Sequence, residues 1–293
     1  MLGTSGAMPT PRSNPSCFAV KFGGVYLFDC SEGCQRQMMK YGTNFGSVKA
    51  IFISHLHADH FLGLFGLVQS LNMTGRREPL QLYGPKGTKK FLGTVFAMKE
   101  FTASFPLEII EVAASKKPFY FNELFTVKAF NVKHNAPASL GFVMEGLSYK
   151  RFDMDKCKKV GVSGRMFSQL QEGGTVEING KKVKYGDVTY LQGGKKIVYT
   201  GDTMQCPAIS SNAKDADLLI HDSCFLDKHK DHAKQKMHST CLDAGKNAKK
   251  ANVKKLILTH FSNRYDDLSP LLAEAKTVFE NSELAEQGKE ILI

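Results

Sequence analysis

The chain contains 293 residues, of which 42% are hydrophobic and 23% are charged, a composition typical of a globular enzyme with a sizeable core. No apolar run reaches the roughly eighteen residues that a transmembrane helix needs, and the first residues lack the layout of a signal peptide, so we expect neither membrane insertion nor secretion but the cytoplasm. The formal net charge of +11 favours a polyanionic partner such as nucleic acid, although lysine-rich surfaces also occur on proteins that bind none.

Short apolar runs rich in β-branched and aromatic residues predict strands, and these runs alternate with segments of helical character. The predicted strands cover residues 25–28, 50–53, 80–83, 107–112, 125–132, 196–199, 217–220 and 255–258. The predicted helices follow Ser31, cover 86–98 and 238–251, and follow Ser269. At the last of these, Ser269 is expected to be the N-cap, with Pro270 at the first helical position. Mixed strands and helices indicate a layered α/β or α+β fold.

Residues 146–196 differ in character from the rest of the chain. The segment is polar, rich in lysine and interrupted by repeated glycines. It predicts an excursion from the core, with a short helix near 154–159 and a small hairpin around 176–183. A surface insertion without a role is the alternative interpretation.

The chain has seven cysteines, and no two of them form a CxxC pair. Because the number is odd and no secretory signal is present, we expect reduced thiols rather than a disulfide framework. Small buried side chains are their simplest interpretation, and we assign them no chemistry.

The pattern with most chemical content lies in residues 51–60, where H-x-H-x-D-H follows an apolar strand. Side chains alternate along a strand, so His55 and His57 are expected to point the same way. Asp59 and His60 are expected in the following turn, facing a second metal beside the first. Imidazole and carboxylate are zinc ligands, and imidazole is neutral near pH 7. A scatter of buried, hydrogen-bonded histidines is a poor explanation for three histidines and an aspartate within six residues.

Three further residues of ligand type follow predicted strands. His134 comes after the strand 125–132, Asp202 after 196–199 and His260 after 255–258. Since sites on sheet folds are built at strand ends, we expect these side chains to converge with the H-x-H-x-D-H motif on one rim of the sheets.

The ordered set of these residues resembles the metallo-β-lactamase superfamily and, within it, the ribonuclease Z family, which matures the 3′ ends of transfer RNA precursors. The resemblance covers nearly the whole chain, and it includes further motifs at 27–33, 199–203, 219–222, 238–240 and 258–262. It implies a single domain over 1–293 with the αβ/βα four-layer sandwich of the superfamily. It also implies that 146–196 is a protruding exosite arm that grips transfer RNA.

The resemblance further implies two Zn²⁺ ions per chain. Carried over by position, one zinc is held by His55, His57 and His134, and the other by Asp59, His60 and His260. Asp202 bridges the two ions. Paired metals of this kind supply a nucleophilic water at neutral pH and stabilise charge on a phosphate. Asp59 could also orient the nucleophile or accept its proton.

The family places a carboxylate–histidine pair beside the metals, and in this chain the matching residues are Asp222 and His238. The pair would protonate the departing ribose 3′-oxygen, because a carboxylate on one imidazole nitrogen raises the basicity of the other. Relatives commonly have glutamate where this chain has the shorter Asp222.

The resemblance therefore implies a zinc-dependent endoribonuclease that removes the 3′ trailer from transfer RNA precursors and leaves a 3′-hydroxyl on the tRNA. Precursor transfer RNA is the expected partner, and a homodimer the expected assembly. One alternative is a hydrolase of the same fold acting on a small phosphodiester, sulfate ester or thioester. A non-catalytic RNA-binding relative is the other.

Overall fold

The computed structural model describes residues 1–293, and strands and helices alternate along it. The strands are β1 Phe18–Lys21, β2 Val25–Phe28, β3 Val48–Phe52, β4 Leu80–Gly84, β5 Leu107–Glu111, β6 Tyr120–Phe121, β7 Phe125–Asn131, β8 Leu140–Gly146, β9 Tyr149–Phe152, β10 Thr175–Ile178, β11 Lys181–Lys184, β12 Thr189–Gln192, β13 Lys196–Tyr199, β14 Leu218–Asp222, β15 Leu256–Thr259 and β16 Ser282–Leu284. The helices are α1 Cys34–Lys40, α2 Ala58–Phe61, α3 Gly63–Met73, α4 Thr88–Phe96, α5 Met154–Val160, α6 Met166–Gln171, α7 Pro207–Asn212, α8 Lys230–Lys236, α9 Cys241–Ala251 and α10 Ser269–Lys276. None of these helices is both long enough and apolar enough to cross a bilayer.

All eight predicted strands are present, with ends within two residues of the predicted ones. Two predicted helix starts are wrong. The helix predicted from residue 238 begins at Cys241, because Thr240 and Asp243 form a capping box that starts α9 there. Ser269 is the first residue of α10 rather than its cap, and its hydroxyl donates to Asp267.

The chain divides into two compact units, Met1–Glu145 with Lys196–Ile293, and Gly146–Lys195. The first unit contains two sheets. Five strands lie in the order β1-β2-β3-β4-β5, and seven in the order β16-β15-β14-β13-β8-β7-β6. Strands β2 to β5 are parallel to one another, as are β13 to β16. Their carboxyl ends therefore meet at a shared edge within each sheet.

An aromatic layer lies between the two sheets. The ring of Phe28 from β2 lies 6.0 Å from Phe142 of β8 and 5.7 Å from Tyr199 of β13. Alternate residues of β2 face the other way, and Leu27 packs with Leu64 of α3 in a second apolar cluster. Helices α9 and α10 pack against the seven-stranded sheet. The order helix, sheet, sheet, helix confirms the predicted four-layer sandwich.

Helix α3 was not predicted from the sequence. Gly63 and Gly66 lower its intrinsic helix propensity, which hides it from pattern reasoning. Burial overrides that cost, because Leu64, Leu67 and three further residues of the helix are buried against the five-stranded sheet.

The second unit, Gly146–Lys195, has its own small core. Strand β9 pairs with β12, and β10 pairs with β11 in a hairpin whose turn residues Asn179 and Gly180 both have positive φ. Leu170 and Val188 are among its fully buried side chains. The predicted short helix and hairpin are both present, whereas the role of this segment as an exosite arm stays a prediction.

Candidate metal centre

Five of the predicted metal ligands follow strands of the first unit. His55 and His57 lie just beyond β3, His134 beyond β7, Asp202 beyond β13 and His260 directly after β15. Because these strands end at one side of the sandwich, the five side chains meet there.

Two motif residues are placed differently from the prediction. Asp59 and His60 were expected in a turn, but they lie in the short helix α2. The backbone N–H of His60 donates to the carbonyl of His57 at 3.0 Å, so the helix begins immediately after the second motif histidine. One helical turn thereby carries Asp59 and His60 back towards the cluster.

A single carboxylate oxygen lies at the centre of the cluster. The Nε2 atoms of His260 and His60 lie 3.1 Å and 3.2 Å from Oδ2 of Asp202. The Nε2 atoms of His55 and His134 each lie 3.8 Å from the same oxygen. Four imidazoles thus surround one buried carboxylate.

The ligand-type atoms fall into groups whose members lie within 4.8 Å of one another. Together the first two groups hold all seven predicted ligands: His55, His57 and His134; and Asp59, His60, Asp202 and His260. A third group overlaps both and adds one predicted catalytic residue: His134, Asp202 and His238.

The donor atoms fit a divalent metal. Nε2 of His55 is buried and has no hydrogen-bond partner in the protein, an arrangement that costs free energy unless another group satisfies the nitrogen. Nε2 of His134 faces Nδ1 of His57 at 3.1 Å, so two ligand-type nitrogens are directed at the same space. Imidazole and carboxylate donors of this kind suit zinc and neighbouring divalent ions.

Outer contacts turn the imidazoles towards the centre. Nδ1 of His260 lies 3.2 Å from the Ser16 hydroxyl. Nδ1 of His134 lies 3.1 Å from the carbonyl of Met237. Partners of this kind fix ring orientation and leave Nε2 available to a metal.

Asp29 is a site residue to which the sequence reasoning assigned no role. It is fully buried, and its carboxylate accepts hydrogen bonds from the Ser54 backbone N–H at 2.7 Å, the Tyr199 hydroxyl at 2.6 Å and Nδ1 of His60 at 2.7 Å. It directly follows the predicted strand 25–28, so the strand-exit rule that identified His134 and His260 applies to it as well. Asp29 holds His60 in position.

The electrostatics of the cluster favour a bound cation. Burial lowers the pKa of His55 well below its ordinary value, and burial together with His134 lowers the pKa of His57. Although burial opposes ionisation, the neighbouring His260 and His60 hold the pKa of Asp202 well below its usual range. Neutral imidazoles and an ionised carboxylate are the protonation states that metal binding requires.

Asp222 and His238 form the predicted pair. Nδ1 of His238 lies 2.7 Å from Oδ2 of Asp222, so the shorter aspartate side chain reaches the imidazole. The backbone N–H groups of Thr203 and Cys224 donate to the same carboxylate. Although burial opposes the charged form, Asp222 raises the pKa of His238 to about 9. The contact with Asp222 therefore favours the protonated form of His238.

The cluster opens into a cavity of about 520 Å³. Asp59, His134, Asp202 and His238 line it. The sequence reasoning gave no role to four other lining residues: Phe225, His232, Lys236 and Arg264. His232 and Lys236 lie on helix α8, whereas Phe225 and Arg264 lie in two loops, and no motif signals that these segments come together.

This fold, with histidines and aspartates at the strand exits, defines the class of metallo-β-lactamase-type hydrolases. A family model for the beta-lactamase superfamily domain matches residues 25–154 and 156–261. Ribonuclease Z of Methanosarcina mazei is 42% identical to this chain over 295 residues, which cover 99% of this chain and 96% of that relative. Ribonuclease Z of Methanosarcina acetivorans is also 42% identical, over 297 residues covering 100% of this chain and 96% of that relative.

A solved structure agrees with these relatives. The crystal structure of the short form of human tRNase Z matches with a TM-score of 0.72 and 28% sequence identity, covering 98% of this chain and 96% of that chain. The chain belongs to the ribonuclease Z family of the beta-lactamase superfamily.

Proposed function

We propose that the chain is a zinc-dependent endoribonuclease that removes the 3′ trailer from transfer RNA precursors and leaves a 3′-hydroxyl on the tRNA. Relatives named ribonuclease Z match this chain over nearly its full length, and a structure of human tRNase Z matches its fold. Both support a hydrolytic endoribonuclease of this type. The observation that carries the proposal is the pair of His238 and Asp222, joined at 2.7 Å, in the cavity that the metal cluster lines. Cleavage that leaves a 3′-hydroxyl needs a proton for the departing oxygen, and such a pair can supply it.

Two zinc ions per chain are part of this proposal. One set of ligands is His55, His57 and His134, and the other is Asp59, His60 and His260, with Asp202 between them. The two groups of donor atoms, sharing the space around Asp202 Oδ2, support two positions rather than one. Zinc bound there supplies Lewis acidity towards the phosphate and makes a nucleophilic water available near neutral pH.

Asp59 has a proposed second role in positioning that water. The backbone N–H of Ala7 donates to Oδ2 of Asp59 at 3.0 Å, which holds the carboxylate at the cavity wall. A carboxylate fixed in this way can accept a hydrogen bond from the attacking water and take its proton.

His238 is the proposed general acid, and Asp222 is the residue that positions it. Asp222 occupies Nδ1, so the transferable proton is on Nε2. As the water oxygen bonds to phosphorus, the bond from phosphorus to the ribose 3′-oxygen breaks, and that oxygen takes the Nε2 proton. The products are a 3′-hydroxyl on the transfer RNA and a 5′-phosphate on the trailer.

The segment Gly146–Lys195 is the proposed exosite for transfer RNA, and a cytoplasmic homodimer is the proposed assembly. Exposed lysines, including Lys158, Lys159 and Lys181, support contacts with the RNA backbone. In a dimer, the segment of one subunit would grip RNA that is cut in the other. Subunits that lack the segment, mixed with subunits carrying Asp59→Ala, should then regain a KM for precursor near that of the wild type. Asp59→Ala subunits alone should stay inactive, and subunits without the segment should alone keep a raised KM.

The proposed function is tested by incubating zinc-loaded protein with end-labelled transfer RNA precursor, with and without a chelator. We expect one cut, with a 3′-hydroxyl on the transfer RNA, loss of cleavage with chelator and recovery on adding zinc. Metal analysis should give two zinc ions per chain. Intact precursor, with bis(p-nitrophenyl) phosphate hydrolysed by the same protein, would instead favour the small-phosphodiester alternative.

A further inference from the structure

The cavity wall beside His238 is formed by an aromatic ring and a guanidinium group. Phe225 is buried, and its ring centroid lies 6.2 Å from that of His238 in an edge arrangement. Cζ of Arg264 lies over the same ring, 4.8 Å from its centroid. The three side chains therefore follow one another along the cavity, from His238 to Phe225 to Arg264.

Arg264 has no other partner within the protein. Its guanidinium forms neither an ion pair nor a hydrogen bond, and the side chain is exposed at the cavity. Arg76, by contrast, donates to four backbone carbonyls. A guanidinium that lies over a buried ring and lines a cavity is available to a ligand.

The loop that carries Arg264 is held on both sides. The backbone N–H of Ser262 donates to the carbonyl of Cys224 at 3.3 Å, and the Asn263 side chain donates to the carbonyl of Met8 at 2.8 Å. The hydroxyl of Tyr265 accepts from the backbone N–H of Leu226 at 3.1 Å. Because these contacts already order the loop, binding a ligand against Arg264 costs little further entropy.

We propose that Phe225 and Arg264 form a stacking subsite for the nucleobase of the nucleotide whose 3′-oxygen departs. This inference rests on the proposed function. If His238 protonates that oxygen, the ribose that bears it lies against His238, and its base is attached to the same ribose. Beyond the ring of Phe225, on the side away from His238 in this series of contacts, the cavity wall presents the exposed planar guanidinium of Arg264.

Stacking explains why the subsite consists of these two residues. A planar, delocalised guanidinium stacks on a nucleobase, and the ring beneath it holds it flat. Every base has a π-face, so the subsite accepts any base at this position. The contact positions the ribose for proton transfer, and we expect its loss to lower kcat/KM for precursor by about 10- to 100-fold.

The test uses two precursors, one with a normal nucleotide on the leaving side of the cut and one with an abasic ribose there. Wild-type enzyme should cleave the abasic precursor about 10- to 100-fold less efficiently. Arg264→Ala should lose a similar factor on the normal precursor and little more on the abasic one. Arg264→Lys, which keeps the charge without the planar group, should behave like Arg264→Ala.

Controls separate stacking from charge and from folding. Lys236 lines the same cavity without stacking, so Lys236→Ala should change both precursors by the same factor. The metal content and the thermal unfolding midpoint of the Arg264 variants should match those of the wild type, which shows that the fold and the metal cluster are intact. Phe225 is buried and its replacement could disturb the fold, so the exposed Arg264 carries the test.

Five results would overturn the subsite. The abasic ribose and Arg264→Ala each lower kcat/KM by a factor. If these two factors multiplied in full when both changes were combined, the base and Arg264 would not interact. Full activity of Arg264→Lys would mean that the charge of the side chain alone matters. If the effect of Arg264→Ala vanished only in a precursor with a methylphosphonate next to the cut, Arg264 would contact the phosphate and not the base. A wild type that cut neither precursor would overturn the proposed function and the subsite together, whereas equal cutting of both would overturn the subsite alone.

Discussion

The two units of the chain differ in where they keep their functional side chains. In the first unit, His55, Asp202 and His260 are buried at the ends of strands from two packed sheets. The second unit, Gly146–Lys195, contains ten lysine and arginine residues and five aspartate and glutamate residues. About a sixth of the chain therefore carries five of its eleven net positive charges. Its apolar core contains only six buried side chains.

The difference follows from what each kind of side chain has to do. Metal ligands and a general acid act over hydrogen-bond distances, so their positions must be held by packing and by outer contacts such as that of Asp29. Lysines that hold a polyanion act over roughly the Debye length of about 8 Å, so they need exposure rather than exact placement. Chemistry thus depends on the large core, and binding can depend on a small unit with little core of its own.

The largest expected effect comes from breaking the centre of the metal cluster. Asp202→Ala removes the carboxylate that four histidines surround. It should release metal and lower the rate of precursor cleavage by at least about 10³-fold, because bound metal supplies several kcal/mol of transition-state stabilisation. Metal analysis and single-turnover cleavage would measure the two losses. Precursor binding should persist if binding belongs to the other unit.

The matched control for that experiment is Asp231→Asn, an exposed acidic residue in α8. It should keep both metal and cleavage. An Asp202 variant that retained two metal ions and wild-type turnover would show that the cluster is not the catalytic centre.

The next largest effect is expected at His238. His238→Ala should lower turnover of precursor by about 10²–10⁴-fold while leaving the metal content unchanged, because it removes a proton donor and not a proposed ligand. An activated ester with a good leaving group needs no such proton, so its hydrolysis should change much less. Equal losses on both substrates would point to damage at the metal cluster instead.

The seven clustered side chains could be predicted because five of them lie at strand exits and the other two belong to the same H-x-H-x-D-H motif, and strand ends meet at one edge of a sheet. The same rule applies to Asp29, which follows β2 in the same way. The wall made by Phe225 and Arg264 could not be predicted by it. Those two residues meet because a backbone hydrogen bond from Ser262 to Cys224 joins their two loops. A contact between loops that are distant in the chain leaves no periodicity in the sequence.

A smaller effect is expected from removing the second unit. The backbone N–H of Gly146 donates to the carbonyl of Lys195 at 2.8 Å, so the ends of the segment are adjacent and a short glycine-serine link can replace 147–194. An exosite binds ground and transition states equally, so KM for precursor should rise about 10-fold or more while kcat changes little. The dependence of affinity on salt should flatten as phosphate contacts are lost.

Hydrolysis of bis(p-nitrophenyl) phosphate serves as the control, since all seven proposed ligands lie in the first unit. It should be unchanged in the shortened chain. A shortened enzyme with unaltered KM and salt slope for precursor would make the segment a bystander, and the division between chemistry and binding would fail.

The smallest expected effect is a shift in pH dependence at Asp222. Asp222 raises the pKa of His238 from an ordinary 6.5 to about 9, so the acid stays protonated below that value, and precursor cleavage should decline as the pH rises through about 9. In Asp222→Asn the raising charge is gone and burial still lowers the pKa, so the decline should move to lower pH by at least about one unit. The raised pKa of His238 also contributes to the stability of the fold. That contribution is fully present below pH 6.5 and is lost as the pH rises through about 9, so Asp222→Asn should lower the free energy of unfolding mainly at neutral and lower pH.

Pre-steady-state cleavage measured across pH would locate this decline, and two comparisons make its origin clear. Asp222→Glu keeps the charge on a longer side chain, so it should keep the alkaline limb near its wild-type position while the asparagine variant loses it. An activated ester, which needs no proton from His238, should show no shift in either variant. If the alkaline limb stayed near 9 in Asp222→Asn, or moved equally for the activated ester, His238 would not be the group that protonates the departing oxygen. The metal cluster alone would then have to account for catalysis in the first unit.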